Sequence, residues 1–204
     1  MIEYHKIETL LDRDDKFKVI KWKWRLPEFD YLRNNEWLWT EKIDGTNIRV
    51  MWMPEVGIKF GGKTDNAQMP PFLLKRLQEL FNVDLMATVF TGYPVCLYGE
   101  GFGARIQSGG KYIPDGCDFI LFDVKIGEWW LERENIEGIA TKLGIKAVPI
   151  IGKGTLTDAI ERVKEGHCST FGQFIAEGIV VRPPVTLFTR KGERLLGKIK
   201  TKDF

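Results

Sequence analysis

The stretch W-T-E-K-I-D-G-T-N-I-R-V, Trp39 to Val50, sets one lysine, Lys42, in front of an Asp-Gly turn and follows it with an alternating run. Asp44-Gly45 is a strong hairpin signal, because glycine tolerates positive φ and aspartate can bond its own backbone. On that reading Trp37 to Glu41 and Asn47 to Met53 are the flanking strands, and Lys42 is a solvated lysine at a strand end. Lys-x-Asp-Gly also arises readily by chance, so other stretches of the chain have to decide what Lys42 is for.

The chain has 204 residues, 44% of them hydrophobic, which is enough for a substantial core. Its 30 basic and 28 acidic side chains leave a formal charge of +2. Bulk charge therefore does not point to a sequence-independent nucleic-acid binder, and any such binding has to come from local patches. Cys96, Cys117 and Cys168 are widely spaced, and His5 and His167 are the only imidazoles. Neither a zinc site nor a disulfide framework follows, and a reducing, cytoplasmic setting is the simplest expectation. No apolar run is long enough to span a bilayer, so no membrane partner is expected. With no linker, internal repeat or low-complexity tract, residues 1–204 are expected to form a single domain.

Further elements follow from pattern. Val56 to Phe60 returns after a turn at Met53-Pro54-Glu55. Pro70-Pro71 opens a helix to about Phe81, with Phe72, Leu73, Leu77 and Leu80 at helical spacing. Leu131 to Leu143 stops at Gly144, and Leu156 to Lys164 enters through Thr155 or Thr157. Val95 to Tyr98, Asp118 to Ile126, Glu128 to Leu131, Gly178 to Arg182 and Arg194 to Lys200 read as strands. Many antiparallel-type strands with interspersed helices and no βαβ alternation predict an α+β fold.

Chemistry collects in four stretches. Lys42 is the first; the second is L-Y-G-E-G-F-G, Leu97 to Gly103, which reads as a glycine loop with Glu100 at the end of a strand. A-E-G-I-V-V-R-P, Ala176 to Pro183, brings Glu177 to a similar junction. L-G-K-I-K-T-K-D-F, Leu196 to Phe204, places Lys198, Lys200 and Lys202 on one face of a strand by its two-residue period. Each has an ordinary structural explanation when taken alone. Together, a lysine, two separated carboxylates and alternating lysines are what nucleotidyl transfer through a lysyl-phosphoramidate requires. An amine attacks only when deprotonated, nearby cations favour that form, and lysines neutralise triphosphate charge. The carboxylates can hold a metal or a ribose hydroxyl.

The ordered set Lys42-Ile-Asp44-Gly45, Tyr98-Gly-Glu100-Gly, Leu121-Phe122-Asp123-Val, Glu177-Gly178-Ile-Val and Lys198-Ile-Lys200 resembles motifs I, III, IIIa, IV and V of the covalent nucleotidyltransferase superfamily. That superfamily holds the ATP-dependent DNA and RNA ligases and the messenger-RNA capping enzymes. Glu41-Lys42-Ile-Asp-Gly-Thr46-Asn47 is similar to the form found in the RNA ligase branch of phage and RNA-editing ligases, and Phe60 to Asn66 resembles that branch's motif Ia. The resemblance implies a ligase/capping-enzyme nucleotidyltransferase fold of two packed antiparallel sheets with flanking helices. It implies ATP with Mg²⁺ or Mn²⁺, a covalent Lys42-AMP, and RNA in preference to DNA, with 5′-phosphate and 3′-hydroxyl ends to join. By position, Glu100 contacts the ribose and Phe122 stacks on adenine, while Glu177 assists the metal-dependent lysine chemistry. Lys198 and Lys200 meet the α-phosphate, and Glu41, Ile43, Asn47 and Lys63 complete the nucleotide site. Asn47 also positions the phosphate end being joined. Lys63 stands where the family generally has arginine, and Arg49 or Arg105 are the alternative phosphate contacts. Most relatives continue into an OB-fold or helical C-terminal domain; none is expected here, and a protein partner is one source that could supply such a clamp.

Two other readings use the same residues. A capping-type guanylyltransferase would load GTP on the lysine, and a catalytically degenerate binding module would grip nucleic-acid ends without turnover. Two basic clusters could serve any of the three: Lys16, Lys18, Lys21, Lys23 and Arg25 among Phe17, Trp22 and Trp24, and later Arg182, Arg190, Lys191 and Arg194. Core packing of the aromatics is the competing expectation for the first cluster, and it is the expectation for Trp129-Trp130.

Overall fold

The structure, a computed structural model, describes residues 3–204. In chain order the first elements are β1 (Glu8–Thr9), β2 (Leu11–Arg13), β3 (Val19–Trp24), α1 (Pro27–Tyr31), β4 (Trp37–Glu41), β5 (Thr46–Met53) and β6 (Gly57–Gly61). Next come α2 (Pro71–Leu80), α3 (Val83–Phe90), β7 (Val95–Gly103), β8 (Cys117–Ile126) and β9 (Trp129–Trp130). The rest are α4 (Arg133–Leu143), β10 (Lys146–Ala147), β11 (Ile150–Gly154), α5 (Leu156–Glu165), β12 (Gly178–Arg182) and β13 (Gly197–Lys200). The fold is α+β with mostly antiparallel pairing, as the pattern predicts.

The chain forms two compact units, and both are discontinuous in sequence. The first holds Asp44–Val148 together with Tyr4. Its sheet runs β10-β8-β7-β5-β6, with β9 on β8. Ile48, Val50, Trp52, Leu97, Phe119, Leu121 and Val124 point to one face of that sheet, where Leu73 and Leu77 of α2, Met86 and Phe90 of α3 and Ile136 and Ala140 of α4 cover them. The helices stop where their ends dictate: Asn82 caps α3 by accepting from the Leu85 N–H, and Gly144 takes the left-handed residue after α4.

The second unit holds His5–Ile43 and Pro149–Phe204. Its sheet runs β1-β13-β12-β4-β11, with the small ladder β2-β3 beside it. Trp37, Trp39, Ile179, Val181 and Ile199 pack against Leu156, Ala159, Ile160 and Val163 of α5. A reciprocal capping box, Thr155 with Asp158, starts α5 where the threonine signal places it.

Several expectations are corrected. Asp44-Gly45 does not close a hairpin, because β4 pairs with β11 and β12 while β5 pairs with β6 and β7. Gly45 is needed for close approach: a Cβ there would collide with the Gly101 carbonyl oxygen. The glycine stretch after Tyr98 is strand rather than loop, continuing β7 to Gly103. Gly99 is small because a side chain would collide with the Phe119 ring, and Gly101 because Leu73 lies beneath it. Lys202 leaves the lysine row, since residues 201–203 turn into a 3₁₀ helix after β13. Trp129 is 78% exposed, and only Trp130 packs, against Tyr4 and Tyr98.

Candidate active site

In the second unit, the end of β4 meets the start of β12 and the end of β13. The Lys42 N–H donates to the Gly178 carbonyl at 3.0 Å, and Gly178 stands opposite Lys200 in the β12-β13 register. A side chain at Gly178 would collide with the Ile199 carbonyl oxygen, so the residue after Glu177 has to be glycine for these strands to close. The result gathers three sequence-predicted residues. Lys42 Nζ donates to Glu177 Oε2 at 2.6 Å, and Lys200 Nζ donates to Glu177 Oε1 at 2.5 Å. The three side chains are 15–20% exposed, sheltered yet open to solvent on one side. Ile199 points into the α5 core, so Lys198 and Lys200 on either side of it share the opposite face. The arrangement is a carboxylate bridging two ammonium groups, with a third cation farther along the same strand face, a strong field for a phosphate chain.

Glu41, one residue earlier, faces the other way and is 2% exposed. Its Oε1 accepts from Ser169 Oγ at 2.5 Å, and its Oε2 accepts from the Thr170 N–H at 2.8 Å and Thr170 Oγ1 at 2.6 Å. Both oxygens are thus taken by a loop far away in sequence, a role the local sequence does not signal. His167 opens that loop, 9% exposed, with no hydrogen-bond partner on either ring nitrogen among the described residues. Burial, helped by the Arg162 charge and opposed by Glu41, lowers its pKa below the usual 6.5. A lowered histidine pKa means the unfolded chain binds the extra proton first, so stability from neutral His167 is complete above about 6.5 and declines as pH falls below it. Thermal unfolding scans from about pH 7.5 to about 5.5 should show a falling Tm, and His167→Phe should flatten that slope; an unchanged slope would refute the assignment.

In the first unit, β5 and β7 place Asn47 directly opposite Glu100. A register shift in β7-β8 leaves Phe122 and Asp123 both turned away from the helix-covered face, so Phe122 joins Asn47 and Glu100 on the opposite face. Asn47 Oδ1 is buried with no hydrogen-bond partner among the described residues. Tyr4 backs this face. Its hydroxyl donates to Asp123 Oδ2 at 2.7 Å and its ring meets Phe122 edge-on at 5.1 Å between centroids. No sequence motif points to Tyr4, whose partner is 119 residues away.

The other predicted contacts fare unequally. Arg49 is fully buried, its Nε donating to the Gly62 carbonyl at 2.7 Å and its Nη2 paired with Asp65 at 2.9 Å, so its donors serve as an internal tie in this structure. Lys63 and Arg105 are exposed, Lys63 in the bend after β6 and Arg105 in left-handed backbone after β7. Ile43 is 3% exposed and Arg194, expected in the late basic cluster, is 7% exposed. Among the described residues no group of three or more His, Cys, Asp or Glu could hold a metal ion. Both Glu177 oxygens accept from lysines here, so a divalent cation would share that carboxylate with them and take phosphate oxygens and water for its other ligands, in the absence of any protein-built cage among the described residues.

The RNA ligase family profile matches residues 35–200, most of the chain and all five motif positions. The chain belongs to the RNA ligase family. Its fold is that of Naegleria gruberi RNA ligase: a mutant with ATP and Mn superposes with a TM-score of 0.69 at 17% identity, covering 97% of this chain and 61% of that one. The same ligase with PPi gives 0.67 at 18% identity, with 98% and 62% covered, and a mutant with AMP and Mn gives 0.68 at 17%, with 97% and 61% covered. This RNA ligase family member thus spans about three fifths of the length of those solved ligases. No curated protein matches it in sequence.

Proposed function

We propose that the chain performs the nucleotidyl-transfer chemistry of an ATP-dependent RNA ligase. The observation that carries the reading is Glu177 bridging Lys42 and Lys200 at 2.6 and 2.5 Å, with Lys198 on the same strand face. Lys42 Nζ attacks the α-phosphorus of ATP, a nitrogen–phosphorus bond forms, and pyrophosphate leaves with the electrons of the broken bond. The amine has to lose its proton for this, and Glu177 Oε2 is the acceptor already within hydrogen-bond distance. Lys200 and Lys198 offset the charge on the phosphate oxygens, which in-line phosphoryl transfer depends on more than on covalent help from the protein. Asn47, Glu100 and Phe122 are the nucleoside contacts, with ribose at Glu100 and the base against Phe122. AMP then passes to a 5′-phosphate end of RNA, and a 3′-hydroxyl displaces it to make the phosphodiester.

Supporting ATP and a divalent metal are the solved ligases of the same fold that hold ATP and Mn. Mg²⁺ or Mn²⁺ would be held by Glu177, and bound there it would neutralise triphosphate charge. Incubating the protein with α-phosphate-labelled ATP or GTP and either metal, then denaturing it, tests the reading. Label retained from ATP and released by acid is the expected result. Label from GTP alone would make the protein a capping-type guanylyltransferase, and no label from either would make it a binding module.

A further inference from the structure

The ladder of β2 and β3 carries aromatic side chains where none is needed for packing. Phe17 is 75% exposed and Trp22 is 49% exposed, while Trp24 of the same strand packs on the core. The register explains the exposure. Leu11 pairs with Trp24 and Arg13 with Val19, so Asp12 alone faces Ile20 to Lys23 and the surplus residues bulge outward. Both exposed rings also stand on strained backbone, φ 61° at Phe17 and at Trp22, a conformation bulky residues rarely hold unless it serves a purpose.

The surface around the rings is lysine-rich, although the exposed Asp15 stands beside Lys16. Lys16, Lys18, Lys21 and Lys23 are all exposed, and Lys21 Nζ lies 5.7 Å from the Trp22 ring centroid. Asp12 is occupied by Lys23 and Arg25, and Asp14 accepts from the Lys16 and Lys18 N–H groups to make the turn. Lys16 and Lys21 have no acidic partner among the described residues. The ladder is also fastened to the lysine strand of its own unit. Arg13 Nη2 pairs with the buried Asp203 at 2.6 Å, Asp203 Oδ2 accepts from the Lys200 N–H at 3.0 Å, and Lys18 Nζ donates to the Lys202 carbonyl at 3.0 Å.

Exposed flat rings interleaved with exposed ammonium groups complement a polyanion whose bases are free to stack. We propose that the β2-β3 ladder is a binding site for single-stranded RNA, with Trp22 and Phe17 as stacking platforms and Lys16, Lys18, Lys21 and Lys23 as phosphate contacts. The choice of RNA over another polyanion rests on the reading of the chain as an RNA-joining enzyme. A duplex fits less well, since its bases are already stacked on one another. The site would hold a strand on the unit that carries Lys42, independently of any nucleotide.

Fluorescence anisotropy of a labelled oligouridylate, without ATP or metal, reads the site separately from lysyl-AMP formation, so a failure of either reading is seen by itself. Trp22→Ala should weaken binding by about fivefold or more, and the pair Phe17→Ala, Trp22→Ala further, as base–aromatic stacking implies. Lys21→Gln with Lys23→Gln should flatten the slope of log affinity against log salt by about 0.7 for each phosphate left without its cation. Trp22→Gly relieves the left-handed backbone, so it should keep or raise the Tm while still losing RNA. RNA binding unchanged in the aromatic pair would overturn the proposal. So would labelled polyglutamate bound more tightly than RNA and released in the same variants, which would assign the surface to an acidic protein.

Discussion

Lys42→Ala should abolish the covalent nucleotide adduct, and Lys42→Arg should abolish it as completely. Arginine keeps the length and charge of the side chain, but only lysine can present a neutral amine; a guanidinium does not deprotonate in proteins. The loss should be at least ~10⁴-fold, the scale on which removing a covalent nucleophile costs an enzyme. The fold should survive, because the backbone of Lys42 makes the structural contact, its N–H donating to the Gly178 carbonyl at 3.0 Å, and alanine or arginine keeps that bond. Removing the ammonium also leaves Glu177 paired with Lys200 at 2.5 Å, so no carboxylate is stranded. The expected change in stability is therefore within about 1 kcal/mol. Intact mass spectrometry after ATP loading, with a thermal melt of each variant, measures both quantities. An adduct that persists at wild-type level in Lys42→Ala would move the nucleophile elsewhere and remove the basis of the proposed reaction.

What can be read from sequence divides along the range of the forces involved. The lysines of β13 are legible because a two-residue period is a local property of a strand, and it places Lys198 and Lys200 on one face with Ile199 turned to the core. Lys42, Glu177 and Lys200 can be grouped only through the order of motifs, and the geometry that joins them lies in the pairing of β12 with β13 and in the bond from Lys42 to Gly178. The Asp-Gly turn misleads because turn chemistry is local while strand pairing is not: β4 pairs with β11 and β12, far along the chain, while β5 pairs with β6 directly after it and with β7. The glycines of β7 mislead for a related reason, since what makes Gly99 and Gly101 necessary is the bulk of Phe119 and Leu73 against the strand. Arg49 looks like a phosphate ligand, and only its burial between Gly62 and Asp65 shows where its donors go. Tyr4, Ser169 and Thr170 carry no signal at all, as each acts on a partner distant in the chain.

Glu41→Ala should be the most destabilising single change at the site, by about 2 to 3 kcal/mol, the cost of stranding a buried donor together with the loss of charge-assisted hydrogen bonds. At 2% exposure, Glu41 accepts three hydrogen bonds from Ser169 and Thr170, and alanine leaves the buried Ser169 hydroxyl without its acceptor while releasing both Thr170 donors. A loss of that size is a large share of the ~5 to 15 kcal/mol that holds an ordinary domain together. Glu41→Gln should cost less, since the amide oxygen can still accept while its NH₂ faces a donor. The effect should reach the chemistry through position. Lys42 follows Glu41 directly, and the anchored loop leads through Ala176, whose N–H donates to the His167 carbonyl at 3.0 Å, into Glu177. Releasing the anchor therefore loosens nucleophile and bridging carboxylate together, and adduct formation should fall about tenfold even at a temperature where the variant is folded. Denaturant unfolding and adduct yield measured on the same preparations decide the matter. Stability lost together with yield, and partly restored in Glu41→Gln, identifies a positioning residue. Yield lost at full stability would instead mean that the carboxylate leaves Ser169 and Thr170 to meet the nucleotide, the role that motif resemblance alone assigns to it.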